Sequence, residues 1–160
     1  MVTLGDEGWF APLDQGDGSY AYSGYEGVDF IKNLAIPTLD YGTFHLYPSS
    51  WGYNFTWGNE WIEQHNAAGK AAGKPVVLEE YGSPDQSNHT ALTLQWQETV
   101  VNKTNVAYDS FWQFATNTQS VMNAVDNFAL FYNTTLGSDY QVLAIQHAQD
   151  MLDKSPMANL

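Results

Sequence analysis

The sequence predicts an α/β fold of four consecutive strand–helix units around a parallel sheet. Two observations point there. Short apolar runs alternate with longer stretches of helical period along the chain. The clearest run, Val76-Val77-Leu78, follows Gly73-Lys74-Pro75 and ends in Glu79-Glu80-Tyr81-Gly82. A short, continuously apolar run bounded by Gly and Pro reads as a strand buried on both faces, the habit of parallel sheets. With 160 residues, 44% of them hydrophobic, the chain can hold one core. Residues 1–160 are read as one domain, without linker or low-complexity tract.

The elements follow in order. Val2 to Leu4 is the first expected strand, ending at Gly5-Asp6-Glu7-Gly8-Trp9. A Gly/Ser/Tyr-rich loop runs from Ala11 to about Tyr25, a length that suggests a functional loop. Asp29 to Leu34 starts a short helix, and Pro37 marks its end. Thr43 to Tyr47 is the second strand, followed by the aromatic loop Pro48-Ser49-Ser50-Trp51-Gly52-Tyr53. Trp57 to Gly73 reads as a helix with Trp61, Ala68 and Ala72 on one face and Glu60 and Glu63 off it. Val76 to Glu79 is the third strand. Ser87-Asn88 stand where a cap would, ahead of Leu92, Trp96 and Val100 at helical spacing, expected in the core. Val106 to Phe114 is the fourth strand, Ala115 to Tyr140 a loop-rich insertion, and Val142 to Leu152 a closing helix.

Composition removes several function classes. The net charge is −13, and all five basic residues are lysine. Nucleic-acid and phosphate recognition rely on Arg forks and basic patches, so neither is expected. Cysteine is absent, which excludes disulfides and thiolate metal sites. The histidines His45, His65, His89 and His147 show no close pairing at metal-ligand spacing. There is no phosphate loop and no serine-nucleophile elbow. No apolar stretch approaches the roughly 18 residues of a membrane span. The start, Met1-Val2-Thr3-Leu4-Gly5-Asp6, turns polar too soon for a signal peptide. Four Asn-x-Thr sequons, at Asn54, Asn88, Asn102 and Asn133, lean toward a secreted protein. Aromatics at 15% supply flat faces for sugar rings, although most must serve the core.

Carboxylates at the C-terminal end of a buried parallel strand sit where barrel enzymes place their chemistry. Side chains alternate along a strand, so Glu80 is expected to share a face with Leu78 and Val76, with Glu79 pointing away. That leaves one of the two for a central site. His45 and Tyr47 share a face of the second strand, and Trp112 stands near the end of the fourth.

The runs Gly5-Asp6-Glu7-Gly8, Phe44-His45-Leu46-Tyr47-Pro48, Leu78-Glu79-Glu80-Tyr81-Gly82 and Ser110-Phe111-Trp112-Gln113 occur in this order over nearly the whole chain. Together they resemble the second half of a fungal endo-β-1,4-mannanase of glycoside hydrolase family five. The resemblance implies units five to eight, the C-terminal half of a (β/α)8 TIM barrel, with units one to four ahead of Met1. It implies that Glu80 is the nucleophile of a retaining hydrolase, with Glu79 in support. Tyr47 would hydrogen-bond the nucleophile, and His45 would line the subsite at the cleaved bond. Trp112 would floor that subsite, and Glu7 would contact sugar on the leaving-group side. Trp51 and Trp9 would be further sugar platforms. No cofactor or metal is implied.

The family's acid/base glutamate, in an Asn-Glu-Pro motif, has no match here. Asn59-Glu60 is followed by Trp61 and lies at a helix start, where the dipole favours a carboxylate. The chain alone is therefore expected to lack mannanase activity, and its open edges to self-associate or pair with a missing N-terminal half. The substrate implied is β-mannan, with no nucleic-acid or membrane partner and an extracellular location. The rival readings are a related β-1,4-glucanase or cellulase, and a non-catalytic carbohydrate-binding fragment that keeps the aromatic floor.

Overall fold

A computed structural model describes residues 1–12, 16–116 and 127–154. Its centre is a three-stranded parallel sheet, β1 (Gly42–Leu46), β2 (Val76–Tyr81) and β3 (Tyr108–Phe111), in that spatial order. Helix α1 (Phe30–Leu34) precedes β1, α2 (Trp57–Ala72) links β1 to β2, and α3 (His89–Lys103) links β2 to β3. Parallel neighbours need such crossovers. Beyond β3, the short segments β4 (Phe114–Ala115) and β5 (Leu130–Phe131) pair in parallel. The chain closes with a π-helical turn, Gln141–Gln146, running into α4 (His147–Asp153). Among the described residues no helix is long and apolar enough to cross a membrane.

The local chemistry explains the boundaries. The Asp29 side chain caps α1 by accepting from the Lys32 amide at 3.1 Å. Asn54 Oδ1 accepts from the Trp57 amide at 2.9 Å where α2 begins. Gly73, at φ 66°, ends α2 in the left-handed conformation that suits glycine. Lys74 then donates to the carbonyls of Leu34 and Ile36, both at 2.7 Å, tying the end of α1 to the entry of β2. At α3, Asn88 occupies the capping position without a side-chain cap bond. Its amide donates to Asp85 Oδ2 at 3.1 Å instead.

The core lies between the sheet and α2–α3, where Phe44, Leu46, Val76 and Leu78 meet Trp61, Ile62, Trp96 and Val100. Trp61 and Ala68 are buried as expected, whereas Ala72, in the last turn of α2, is exposed. Trp96 and Val100 are core; Leu92 is only half-buried.

Two expected strands differ. Val2 to Leu4 forms no strand; it runs beside the start of β1 through isolated bonds. The Asp40 amide donates to the Val2 carbonyl at 2.8 Å. Asp40 Oδ2 takes the Val2 amide, Thr3 Oγ1 donates to the Tyr41 carbonyl, and Thr43 Oγ1 donates to the Leu4 carbonyl. Side chains thus hold groups that a ladder would use, and Val2 and Leu4 stay exposed. The fourth expected strand, Val106 to Phe114, is paired in the sheet over Tyr108–Phe111, with Phe114 diverted to β5. Residues 117–126 of the expected insertion lie outside the described residues.

Candidate active site

The strand ends gather the expected residues. On β1, the bonds at His45 fix its backbone from both sides. Its amide donates to the Glu7 carbonyl at 3.3 Å, and its carbonyl accepts from Trp61 Nε1 at 2.8 Å. Tyr47 follows β1, and its hydroxyl donates to Glu80 Oε1 at 2.5 Å. Trp112 follows β3, with its amide donating to the Tyr81 carbonyl at 2.8 Å. Gly82 permits this approach, since a Cβ there would lie 2.7 Å from the Trp112 carbonyl oxygen.

The alternation argument for Glu79 and Glu80 is corrected by the register. Phe44 faces Leu78, but His45 faces Glu80; on the other side Leu78 faces Asp109 and Tyr81 faces Phe111. Strand β2 therefore carries one residue more than either neighbour between Leu78 and Tyr81, a β-bulge. Burial follows the same phase: Leu78 and Tyr81 are both buried, and the two glutamates between them are half-exposed. The extra residue's carbonyl is satisfied by Ser110 Oγ, which donates to Glu79 O at 2.7 Å. As a result the two carboxylates reach two side chains of one segment, His45 on β1 and Tyr47 just after it. Glu80 meets Tyr47, and Glu79 Oε2 lies 3.4 Å from His45 Nε2.

Glu7 completes the cluster from the other side. Its Oε2 lies 3.4 Å from His45 Nδ1. This is a charge contact and not an aligned hydrogen bond, because the same oxygen has no hydrogen-bond partner among the described residues. Burial works against a charged His45, but the carboxylates of Glu7, Glu80 and Glu79 outweigh it and raise its pKa above 6.5. The Gly-Asp-Glu-Gly run has a local reason for its last glycine. Gly8 sits at φ 79°, and a Cβ there would come within 2.5 Å of Phe44 Cβ. Asp6 accepts from the Gly8 amide at 2.8 Å and from Asn33 Nδ2 at 3.2 Å, which fixes the turn carrying Glu7.

The tryptophans separate. Trp112 is 43% exposed. Trp51 is half-buried, edge-on to Trp9 at 4.5 Å and to Tyr47 at 6.1 Å. Trp9, expected as a platform, is 1% exposed and belongs to the core. Glu60 is exposed in the first turn of α2, as expected of a helix-start carboxylate. Among the described residues no three His, Asp or Glu side chains assemble into a metal site.

Sequence reasoning missed a second polar cluster. Asp109 on β3 accepts from the Tyr81 hydroxyl at 2.7 Å and pairs with His147 Nε2 on α4 at 2.8 Å. Gln97 Nε2 on α3 donates to Tyr81 Oη and to the Leu143 carbonyl. Burial, then the charge of Asp109, pushes the Tyr81 phenol well above its usual range. The group latches the closing helices to the sheet. Its members lie far apart in sequence, so no local motif signals it.

No family model matches the chain. Mannan endo-1,4-beta-mannosidase A of Aspergillus aculeatus is 47% identical over 147 residues, covering 92% of this chain and 37% of that protein. The endo-1,4-beta-mannanase structure from Rhizomucor miehei superposes with a TM-score of 0.81 at 36% identity, over 96% of this chain and 41% of that one. The endo-beta-1,4-mannanase from Thermotoga petrophila gives 0.80 at 34% identity, over 99% and 37%. The chain thus spans 37% of the length of the first of these relatives. Over that span, its strand order, its motifs and nearly half its residues make it a homologue of the fungal mannan endo-1,4-beta-mannosidases.

Proposed function

We propose that this chain forms the nucleophile-bearing part of a retaining endo-β-1,4-mannanase, as barrel units five to eight. The observation that carries the reading is the 2.5 Å hydrogen bond from Tyr47 to Glu80 at the C-terminal end of β2. The phenol fixes one carboxylate oxygen and aims the other. Glu80 would attack the anomeric carbon of an internal mannosyl unit while the bond to the leaving oxygen breaks. That oxygen would take its proton from a carboxylic acid about 5 to 5.5 Å from Glu80. Water, activated by the same group, would then release the sugar from Glu80. The acid/base residue would come from chain outside this sequence, because no Asn-Glu-Pro motif is present. His45, between Glu7 and Glu79, would hold the subsite wall, and Trp112 would stack on the sugar. Trp51 would back Tyr47. The reaction needs no cofactor, and the substrate class fits a secreted protein.

The test is release of reducing sugar from mannan by this chain alone, and mixed with the N-terminal half of a related mannanase. The expected result is activity in the mixture alone, abolished by Glu80→Gln. Hydrolysis by the isolated chain at the rate of the mixture would overturn the division of labour. Full activity of Glu80→Gln in the mixture would overturn the role of Glu80.

A further inference from the structure

Two adjacent glutamates compete for one place in the cleft. Leu78 and Tyr81 are both buried, with the half-exposed Glu79 and Glu80 between them. Side chains alternate along a strand, so a regular β2 would turn Glu80 to the side of Leu78, and Glu79 and Tyr81 to the other. In that register His45 would face Glu79, and Glu79 would stand where Glu80 stands. The observed register instead sets His45 against Glu80 and Tyr81 against Phe111. A slip of one residue would exchange the two carboxylates.

Whatever holds Tyr81 decides that exchange. Its ring is buried and meets Trp96 of α3 edge-on at 6.4 Å. Its hydroxyl is held on both sides, donating to Asp109 Oδ2 at 2.7 Å and accepting from Gln97 Nε2 at 2.9 Å. Each holder is itself fixed. Asp109 pairs with His147 Nε2 at 2.8 Å, and Gln97 Nε2 also donates to the Leu143 carbonyl at 2.8 Å. The residue after Glu80 is thus tied to β3, to α3 and to the closing helices. Turning Tyr81 to the other side would break both hydroxyl bonds and leave Asp109 and Gln97 short of partners in a buried place. Gln97 Oε1 already has no hydrogen-bond partner among the described residues, a cost that apolar packing would avoid. Buried polar groups of this kind are best attested as setters of register.

We propose that Asp109, Gln97 and His147 are positioning residues that act through the Tyr81 hydroxyl to present Glu80, and not Glu79, to Tyr47. This rests on the reading of Glu80 as the nucleophile, and it adds what selects Glu80 from the pair.

Carbon NMR of this chain, isotope-labelled at tyrosine Cζ, tests it, because Tyr47 Cζ reports the partner of its hydroxyl. Tyr47→Phe assigns the signal, and Glu80→Gln and Glu79→Gln give its position when either carboxylate is changed. Two variants disturb the network. One is Tyr81→Phe. The other combines Tyr81→Phe, Asp109→Leu and His147→Leu, which leaves no buried charge there and should melt near the temperature of the parent. Both are expected to move the Tyr47 signal toward its position in Glu80→Gln. Asp109→Asn, whose amide oxygen still accepts from Tyr81, is expected to leave it in place. An unmoved Tyr47 signal in a folded variant overturns the proposal alone. So does unfolding of both variants, which would make the network structural only. A signal that does not answer to Glu80→Gln overturns both the presentation of Glu80 and its role as nucleophile. A signal that behaves as expected, with full activity of Glu80→Gln in the complemented mannan assay, overturns the nucleophile alone.

Discussion

Acid should weaken this fold through one buried imidazole. His65 on α2 is fully buried, stacked on Phe44 at 4.0 Å and walled by Phe10, Phe30 and Trp61. Both ring nitrogens face carbonyl oxygens, Nδ1 toward Trp61 at 2.8 Å and Nε2 toward Gly8 at 2.9 Å. An imidazolium could donate to both, yet burial outweighs those bonds and lowers the pKa to about 4. The unfolded chain binds the proton near pH 6.5, before the folded one does. Stability from this group is therefore complete above 6.5 and declines as pH falls toward 4, where the folded state also protonates. A fall from 6.5 to about 4, at about 1.4 kcal/mol per pH unit, comes to about 3.5 kcal/mol in full, of which about 3 kcal/mol is lost by pH 4. That is a large share of the 5–15 kcal/mol typical of a domain. Urea unfolding at steps between pH 7.5 and 4 measures it, with His65→Gln removing the titrating ring. The variant should be weaker at neutral pH, but its stability should fall by about 3 kcal/mol less on acidification. Parallel curves for the two proteins, or an NMR titration of His65 near 6.5, would refute the reasoning.

The other predictions concern single contacts. Tyr47→Phe removes the donor to Glu80 and should slow mannan hydrolysis in the complemented assay about tenfold or more, from a hydrogen bond of about 1.5–3 kcal/mol. His147→Ala leaves Asp109 buried with only the Tyr81 hydroxyl as partner, and urea unfolding should show a loss of about 1–3 kcal/mol. Gly82→Ala would drive a Cβ to 2.7 Å from the Trp112 carbonyl, costing about 1–3 kcal/mol and shifting indole fluorescence. NMR should find His45 titrating above 6.5 and Glu7→Gln moving it down. Stability from that group is complete below 6.5 and lost as pH rises through its raised value. A His45 titration unchanged by Glu7→Gln would remove Glu7 from the cluster.

Much of the site was legible because it depends on short-range rules. Gly73, Lys74 and Pro75 announce β2, and a two-residue spacing puts His45 and Tyr47 on one face. Other features depend on partners distant in sequence. Leu78-Glu79-Glu80-Tyr81 contains no sign of a bulge; the extra residue exists only relative to the registers of β1 and β3. Trp9 and Trp112 are the same residue type, and only packing buries one and exposes the other. The first strand failed because propensity for Val-Thr-Leu says nothing about which neighbouring groups remain free to pair.

The bulge in β2 also bears on how such a strand tolerates gain and loss of residues. Without Glu79, Phe44 would still face Leu78, and His45 and Leu46 would still face Glu80 and Tyr81, now in unbroken sequence. On the other side, Ser110 would fall opposite Glu80, between the Asp109 and Phe111 pairs. Glu80 would keep its phenol and Tyr81 its aspartate, while His45 would lose one of its flanking charges. A single-codon deletion at this point would thus change the charge of the cleft without rotating the strand. The length of this segment can drift by one residue while Glu80 keeps its direction.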